Sequence, residues 1–184
     1  AREPSFLLCL TGSDPLLTVF VSPSMGFGTG HHATTRLALK ALQALATDGR
    51  TVLDIGCGSG VLAMAAARLG ALAAVGIDID PDALANAADN LELNDLSDRV
   101  RFEGGDFREI SFPAQIVLAN LTGALLERSA PRLAALVEPG GSLIVSGFME
   151  SERESVVSAL EKLLTLKQTA HEDEWVCAVF ARQP

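Results

Sequence analysis

Two hydrophobic rhythms take turns along this chain. Short apolar runs at Thr51–Ile55, Ala73–Ile77, Val100–Glu103, Ala114–Ala119 and Ser142–Ser146 have the length and branched-chain content of buried strands. Between them, apolar positions recur at helical spacing: Leu37, Leu39, Ala41, Leu42 and Leu45, then Val61 to Arg68, Pro81 to about Leu93, about Ala124 to Leu136, and Glu150 to Leu164. Thr34 or Thr35 offers a start for the first helix. Asp80 followed by Pro81 caps the third, Asn94 and Asp95 end it, and Pro139-Gly140-Gly141 stops the fourth. Thr165–Ala170 and Trp175–Ala181 read as a closing antiparallel pair around a turn at His171 to Glu174. The alternation predicts an α/β fold: a mostly parallel twisted sheet, helices on both faces, and a C-terminal antiparallel hairpin.

Residues 1–24 read as a lead-in and residues 25–184 as the domain proper. In the lead-in, two apolar patches, Phe6–Leu10 and Leu16–Val21, flank Gly12-Ser13-Asp14-Pro15; they are either the strands of a hairpin or the remainder of another domain. A length of 184 residues suits one full core, and 48% hydrophobic with 20% charged residues is a globular balance. The 14 basic residues against 23 acidic ones argue against a nucleic-acid backbone as direct partner. An acidic surface favours encounter with a basic protein, and serves solubility equally well. Cys9, Cys57 and Cys177 form no CxxC pair, so neither a disulfide framework nor a metal site is expected. With no run long enough to span a bilayer and no signal peptide, a cytoplasmic protein is expected.

The richest stretch is Thr51 to Asp80. A strand is followed by Gly56-Cys57-Gly58-Ser59-Gly60, a helix, and a second strand that closes on Asp78. Glycines there let backbone lie against a ligand, and the carboxylate suits a ribose diol. A dinucleotide fingerprint wants its third glycine at the sixth position, which here is Val61. Asp54 adds a negative charge at the strand end, which suits a ligand with a cationic end better than a pyrophosphate. S-adenosylmethionine, with its sulfonium, ammonium, ribose and adenine, meets that description. VLDIGCGSG followed by GIDIDP resembles the class I methyltransferase signature.

FGTGHHATTRLAL, VLDIGCGSGVLA, GIDIDP, VLANLTGALL and EDEW together resemble the catalytic domain of the bacterial methyltransferase of the eleventh large-subunit ribosomal protein, from about Met25 to Arg182. The resemblance implies a Rossmann-like class I methyltransferase fold and methyl transfer from S-adenosylmethionine to lysine and N-terminal amines of a basic ribosomal protein. It places cofactor contacts on Thr35, Gly56, Asp78 and Asn120. Full-length members carry a small N-terminal docking domain that this sequence lacks, which leaves a different protein or a small molecule open as acceptor. A module that binds the cofactor without catalysis is the reading from another class.

Further candidates for the cofactor are Gly58, Gly60, Ile79 beside Asp78, and Asp106, which serves equally as a plain turn residue after Gly104-Gly105. Asn120 ends the fourth strand, where α/β sheets place ligands, and its amide can orient an acceptor amine. Of the neighbouring His31 and His32, His31 is a candidate for lining the acceptor channel; no metal is expected there. Trp175 reads as sheet-edge packing or as part of the acceptor mouth. The sequence singles out no general base.

Overall fold

The apolar runs become the strands of a seven-stranded sheet in a computed structural model that describes residues 6–9, 18–22 and 32–184. β3 (Thr51–Ile55), β4 (Ala73–Asp78), β5 (Val100–Gly104), β6 (Ala114–Asn120) and β7 (Val137–Met149) are parallel, and β8 (Thr165–Glu172) and β9 (Trp175–Ala181) complete the sheet as antiparallel strands. Their order across the sheet is β5-β4-β3-β6-β7-β9-β8. The chain builds outward from β3 to β5, then returns to the other side of β3 with β6. That reversal opens a crevice at the carboxyl ends of β3 and β6, where sheets of this kind hold ligands.

Alternation along each strand divides the core between two faces. Val52, Ile116 and Ile144 join α1 (Ala33–Ala44) and α2 (Val61–Arg68) in one cluster; Leu53, Ile55, Val117 and Val145 join α4 (Gly123–Leu136) and α5 (Arg153–Glu161) in the other. α3 (Pro81–Asn94) lies beside α2. In α2 every residue from Val61 to Ala67 is buried. Its alanines leave room for the sheet on one side and a second, smaller sheet on the other. That smaller sheet is the hairpin alternative for the lead-in: β1 (Phe6–Cys9) pairs antiparallel with β2 (Thr18–Val21), with Val19 and Val21 in the α1–α2 cluster. The turn between these two strands lies outside the described residues.

Several boundaries differ from the sequence pattern. α1 is capped by His32 and not by Thr34 or Thr35, because the imidazole Nδ1 accepts from the Thr34 N–H and both threonines fall inside the first turn. Pro139-Gly140-Gly141 does not stop α4, which already ends at Leu136; those residues form a bulge inside β7. Gly141 has to be small there, since a Cβ would sit 2.7 Å from the Gln115 carbonyl oxygen. The last helix is shorter than expected. Glu150–Glu152 form a separate 3-10 turn, and only Val156 and Leu160 of α5 are buried. β8 extends through Glu172, so the final turn narrows to Asp173 and Glu174.

The division of the core has a direct test by urea unfolding. Leu118→Ala, in the centre of β6 at 0% exposure, is expected to lose about 3 kcal/mol. Leu72→Ala, at 64% exposure, should stay within about 0.5 kcal/mol of the parent.

Candidate active site

The loop between β3 and α2 is fixed by its own backbone groups. Gly56 N–H and Cys57 N–H both donate to the Ile77 carbonyl, at 2.8 and 3.1 Å, and Gly60 N–H donates to the Cys57 carbonyl at 2.8 Å. Gly58 N–H donates to Asp78 Oδ2 at 2.9 Å, and Asp80 N–H donates to Asp78 Oδ1 at 3.0 Å. The carboxylate expected to hold a ribose therefore also ties the loop to the end of β4. Gly56 and Gly60 adopt φ of 66° and 77°. A Cβ on Gly56 would meet Leu121 Cδ2 at 2.6 Å, and one on Gly60 would enter the Phe102 ring at 2.2 Å.

Asp54 is not the exposed charge that its place in the sequence suggests. Alternation puts it on the α2 face of β3, at 1% exposure, where Oδ2 accepts from the Ala63 N–H at 3.1 Å. It thereby serves one of the first α2 amides, which have no partner within the helix. Its other oxygen, Oδ1, has no hydrogen-bond partner among the described residues. Burial, opposed by the Ala63 N–H and reinforced by the Asp78 charge, raises the Asp54 carboxyl to about 7. Burial, with the charges of Asp54 and Asp78 added, likewise pushes the Cys57 thiol far above its usual range, and burial alone takes Cys177 up to about 12. Neither thiol is poised as a nucleophile.

Two cavities of about 330 Å³ each open along the crevice and share Leu121 and Leu125. The first is lined by Gly56, Asp78, Ile79, Asp106 and Phe107, among others. Asp106 caps the short turn Phe107–Glu109, accepting from Arg108 N–H at 2.9 Å while the Arg108 guanidinium grips both its oxygens. The Arg108 side chain and then its N–H hold the Asp106 carboxyl down at about 2.

The second cavity is lined by His32, Thr35, Asn120, Gly147 and Trp175, among others. Asn120 Nδ2 donates to Thr35 Oγ1 at 3.5 Å. Its Oδ1 is left over Gly147, 2.9 Å from where a Cβ on that residue would sit; such a Cβ would also meet the Leu121 carbonyl oxygen at 2.5 Å. Gly147, with φ of 91°, marks the bulge in β7 that makes room for Asn120. The buried Ser146 hydroxyl donates toward the Thr34 and Val176 carbonyls at 3.1 and 3.2 Å, joining the start of α1 to the strand ends. His32 meets Trp175 edge to face, with ring centroids 4.8 Å apart. Arg36 pairs with Glu172, fastening α1 to β8, and that guanidinium lowers the Glu172 carboxyl below its ordinary value.

The expected site residues thus fall into two groups. Gly56, Asp78, Ile79 and Asp106 surround the first cavity; Thr35 and Asn120 meet in the second. Gly58 and Gly60 line neither: Gly58 acts through Asp78, and Gly60 begins α2 against Phe102. His31 and the FGTG segment lie outside the described residues, while His32 borders the second cavity. Trp175 lines the second cavity as well as the sheet end. Sequence reasoning passed over Leu121, Leu125 and Gly147. A lone glycine within a strand pattern was the available signal for the last. Among the described residues no group of three His, Cys, Asp or Glu side chains is placed to hold a metal ion, and no helix is long and apolar enough to cross a membrane.

Residues 11–183 match the family model of ribosomal protein L11 methyltransferase (PrmA). The ribosomal protein L11 methyltransferases of Salmonella heidelberg and Salmonella typhi are each 41% identical over 167 residues, 91% of this chain. The chain spans 57% of the length of those curated relatives. The ribosomal protein L11 methylase of Lactobacillus delbrueckii subsp. bulgaricus superposes with a TM-score of 0.79 at 25% identity, covering 85% of this chain and 82% of that one. An RNA methyltransferase from Salinibacter ruber, solved with S-adenosyl-L-homocysteine, shares the fold with a TM-score of 0.65 at 23% identity, over 78% of this chain and 89% of its own.

The enclosed Asp54 makes stability depend on pH in a stated direction. Between its ordinary 3.8 and about 7 the unfolded chain is ionised there while the folded one keeps its proton. Across that window the parent should lose about 4 kcal/mol relative to the Asp54→Asn protein, with little further change above it. Urea unfolding of both proteins at pH 4.5, 6 and 8 measures the difference; a constant gap would contradict an uncompensated buried carboxylate.

Proposed function

The chain belongs to the ribosomal protein L11 methyltransferase family, and from that premise we propose that it is the catalytic part of an S-adenosylmethionine-dependent N-methyltransferase that methylates lysine and N-terminal amines of ribosomal protein L11 in the cytoplasm. The observation that carries this reading is the pair of joined cavities, one ending on Asp78 and the other on Asn120, with Leu121 and Leu125 common to both.

The first cavity fits the nucleoside. An ionised carboxylate has about four lone-pair sites, and Asp78 uses two of them, on Gly58 and Asp80. The other two remain for a ribose diol. Ile79, Phe107 and Leu125 supply apolar walls for a base, with Asp106 at the rim. Gly56 exposes backbone where a side chain would meet Leu121. Thr35, whose hydroxyl is held by Asn120, takes the amino-acid end, toward the second cavity.

The cofactor supplies an electrophilic methyl on a sulfonium, which leaves as a neutral thioether. The chain has to bring an unprotonated amine in line with it. With Nδ2 engaged by Thr35, the Asn120 oxygen is the acceptor available to an incoming amine N–H. Among the described residues that line the second cavity there is no carboxylate. A lysine amine with an ordinary pKa of about 10.4 enters such a space more readily without its proton. Alignment of amine and methyl is the larger contribution, worth roughly 7–11 kcal/mol when reactants are well placed. His32 and Trp175 form the wall along which the acceptor's alkyl stem would lie.

Calorimetry with S-adenosylhomocysteine and labelled methyl transfer to ribosomal protein L11 test the two halves separately. Asp78→Ala is expected to weaken binding by about 10- to 100-fold, the loss of charged hydrogen bonds. Asn120→Ala should bind within about 3-fold of the parent yet transfer methyl about 10- to 100-fold more slowly. Binding without transfer to ribosomal protein L11 by the parent would remove the acceptor, and no binding at all would remove the cofactor.

A further inference from the structure

Two asparagines on one face of α3 hold the N-terminal strand, and they do so differently. Asn94 Oδ1 accepts from Phe20 N–H at 2.8 Å while its Nδ2 donates to the Phe20 carbonyl at 2.7 Å, so one amide side chain imitates a paired strand. One helical turn earlier, Asn90 divides its amide between strand and loop, with a longer contact from Nδ2 to Asn86 Oδ1 at 3.4 Å. Asn90 Oδ1 accepts from Ser22 N–H at 2.8 Å, and its Nδ2 donates to the Ser59 carbonyl at 3.0 Å. Ser59 stands in the glycine loop, between Gly58 and Gly60. Asn90 and Asn94 are 0% and 2% exposed. The orientation of the Asn90 amide is unambiguous, since turning it over would set donor against donor and acceptor against acceptor. Arg68 completes the attachment, donating to the Thr18 and Asn94 carbonyls at 3.1 and 2.8 Å.

We propose that Asn90 is a positioning residue that couples the seating of the N-terminal strand to the cofactor loop. With β2 docked, its amide holds the Ser59 carbonyl and so helps keep the neighbouring Gly58 N–H on Asp78. This rests on the reading of that loop as the cofactor site. An asparagine needed only to anchor β2 would keep to the strand and its own surroundings, as Asn94 does with Phe20, the Asn90 carbonyl and Met64 Sδ. Asn90 reaches instead from strand to loop, and no bond of Asn94 reaches the loop. Coupling of this kind is reciprocal: whatever tightens the loop must tighten the strand by the same factor. Phe20 and Ser22 thereby influence cofactor affinity although neither lines the first cavity.

Hydrogen exchange of the parent with and without S-adenosylhomocysteine is the first test, and it needs no variant. Slower exchange is expected at Gly58 and, through Asn90, at Phe20 and Ser22. Asn90→Asp keeps an acceptor for Ser22 N–H and removes the donor to Ser59. It should weaken S-adenosylhomocysteine binding about 5- to 20-fold, at the lower end of typical coupling, raise the cofactor KM with kcat nearly unchanged, and abolish the added protection at Phe20 and Ser22. Asn94→Ala, which loosens β2 at its other anchor, should lower the melting temperature and weaken binding in the same direction, by less than Asn90→Asp. Protection at Gly58 with none at Phe20 and Ser22 would overturn the coupling and leave the cofactor site standing. So would an Asn90→Asp protein that binds like the parent. No protection at Gly58 under saturating nucleoside would sink the cofactor reading, and this proposal with it.

Discussion

A strand that becomes a helix within five residues has more backbone donors than it can satisfy by itself. Between β3 and α2 five of those donors find acceptors on the flanking strands or within the turn. The Ile77 carbonyl takes Gly56 and Cys57, Asp78 takes Gly58, the Cys57 carbonyl takes Gly60, and Asp54 takes Ala63. The turn is therefore shaped by the ends of β3 and β4, and its form is set before any ligand arrives. Such preorganisation lowers what a ligand must spend on ordering its site. It also explains why the same carboxylate can serve structure and recognition: Asp78 is held by two amides that fix its direction and leave lone pairs facing the cavity.

The rest of the crevice follows from where β6 lands. Because it returns beside β3, the residues after its last position run over the glycine loop. Leu121 Cδ2 occupies the space that a side chain at Gly56 would need. Leu121, with Leu125, thus forms a wall common to both cavities. The second cavity depends on β7 in turn. Its bulge at Gly147 lets the chain pass Asn120 without displacing it, and Ser146 beside the bulge draws in the start of α1 with Thr34 and Thr35. The proposed nucleoside site is built on β3, β4 and the segment after β5, and the proposed amine site on β6, β7 and α1.

Apolar period and glycine spacing made the parallel sheet, its helices and the Gly56–Asp78 unit legible in the chain. Those features are local: the distance from Gly56 to Asp78 is one helix and one strand, so pattern alone brings them together. What could not be read depends on which face of an element a residue turns to and what packs over it. Asp54 shows this best. From its position it is a charge at a strand end, and only the crossing of α2 over that face of β3 encloses it and raises its carboxyl to about 7. The cap of α1 fell to His32 because the turn geometry selects an acceptor and accepts an imidazole where a hydroxyl was expected. Pro139-Gly140-Gly141 looked like a helix stop, and strand partners outweighed that local signal. Trp175 is sheet-edge packing and cavity wall together, which no single-position reading distinguishes.

Most of the buried polar side chains gather at one end of the molecule. Thr34, Thr35, Asp54, Ser59, Asn90 and Ser146 lie at the crevice or bonded to the loop beside it, while the core away from it is filled mainly by Leu, Ile, Val, Phe and Ala. Stability alone does not ask for this arrangement. Polar groups in a core contribute little net energy when paired and cost about 1–3 kcal/mol when a partner is lost. Apolar residues of similar size would hold the same helices in place. What the amides and hydroxyls add is direction. Ser146 ties α1 to β7, Asn94 ties β2 to α3, and Asn90 ties β2 to the glycine loop, each at one register only. The polar interior thus fixes how the segments stand relative to one another along the crevice, the edge where the proposed reaction would need its two reactants aligned.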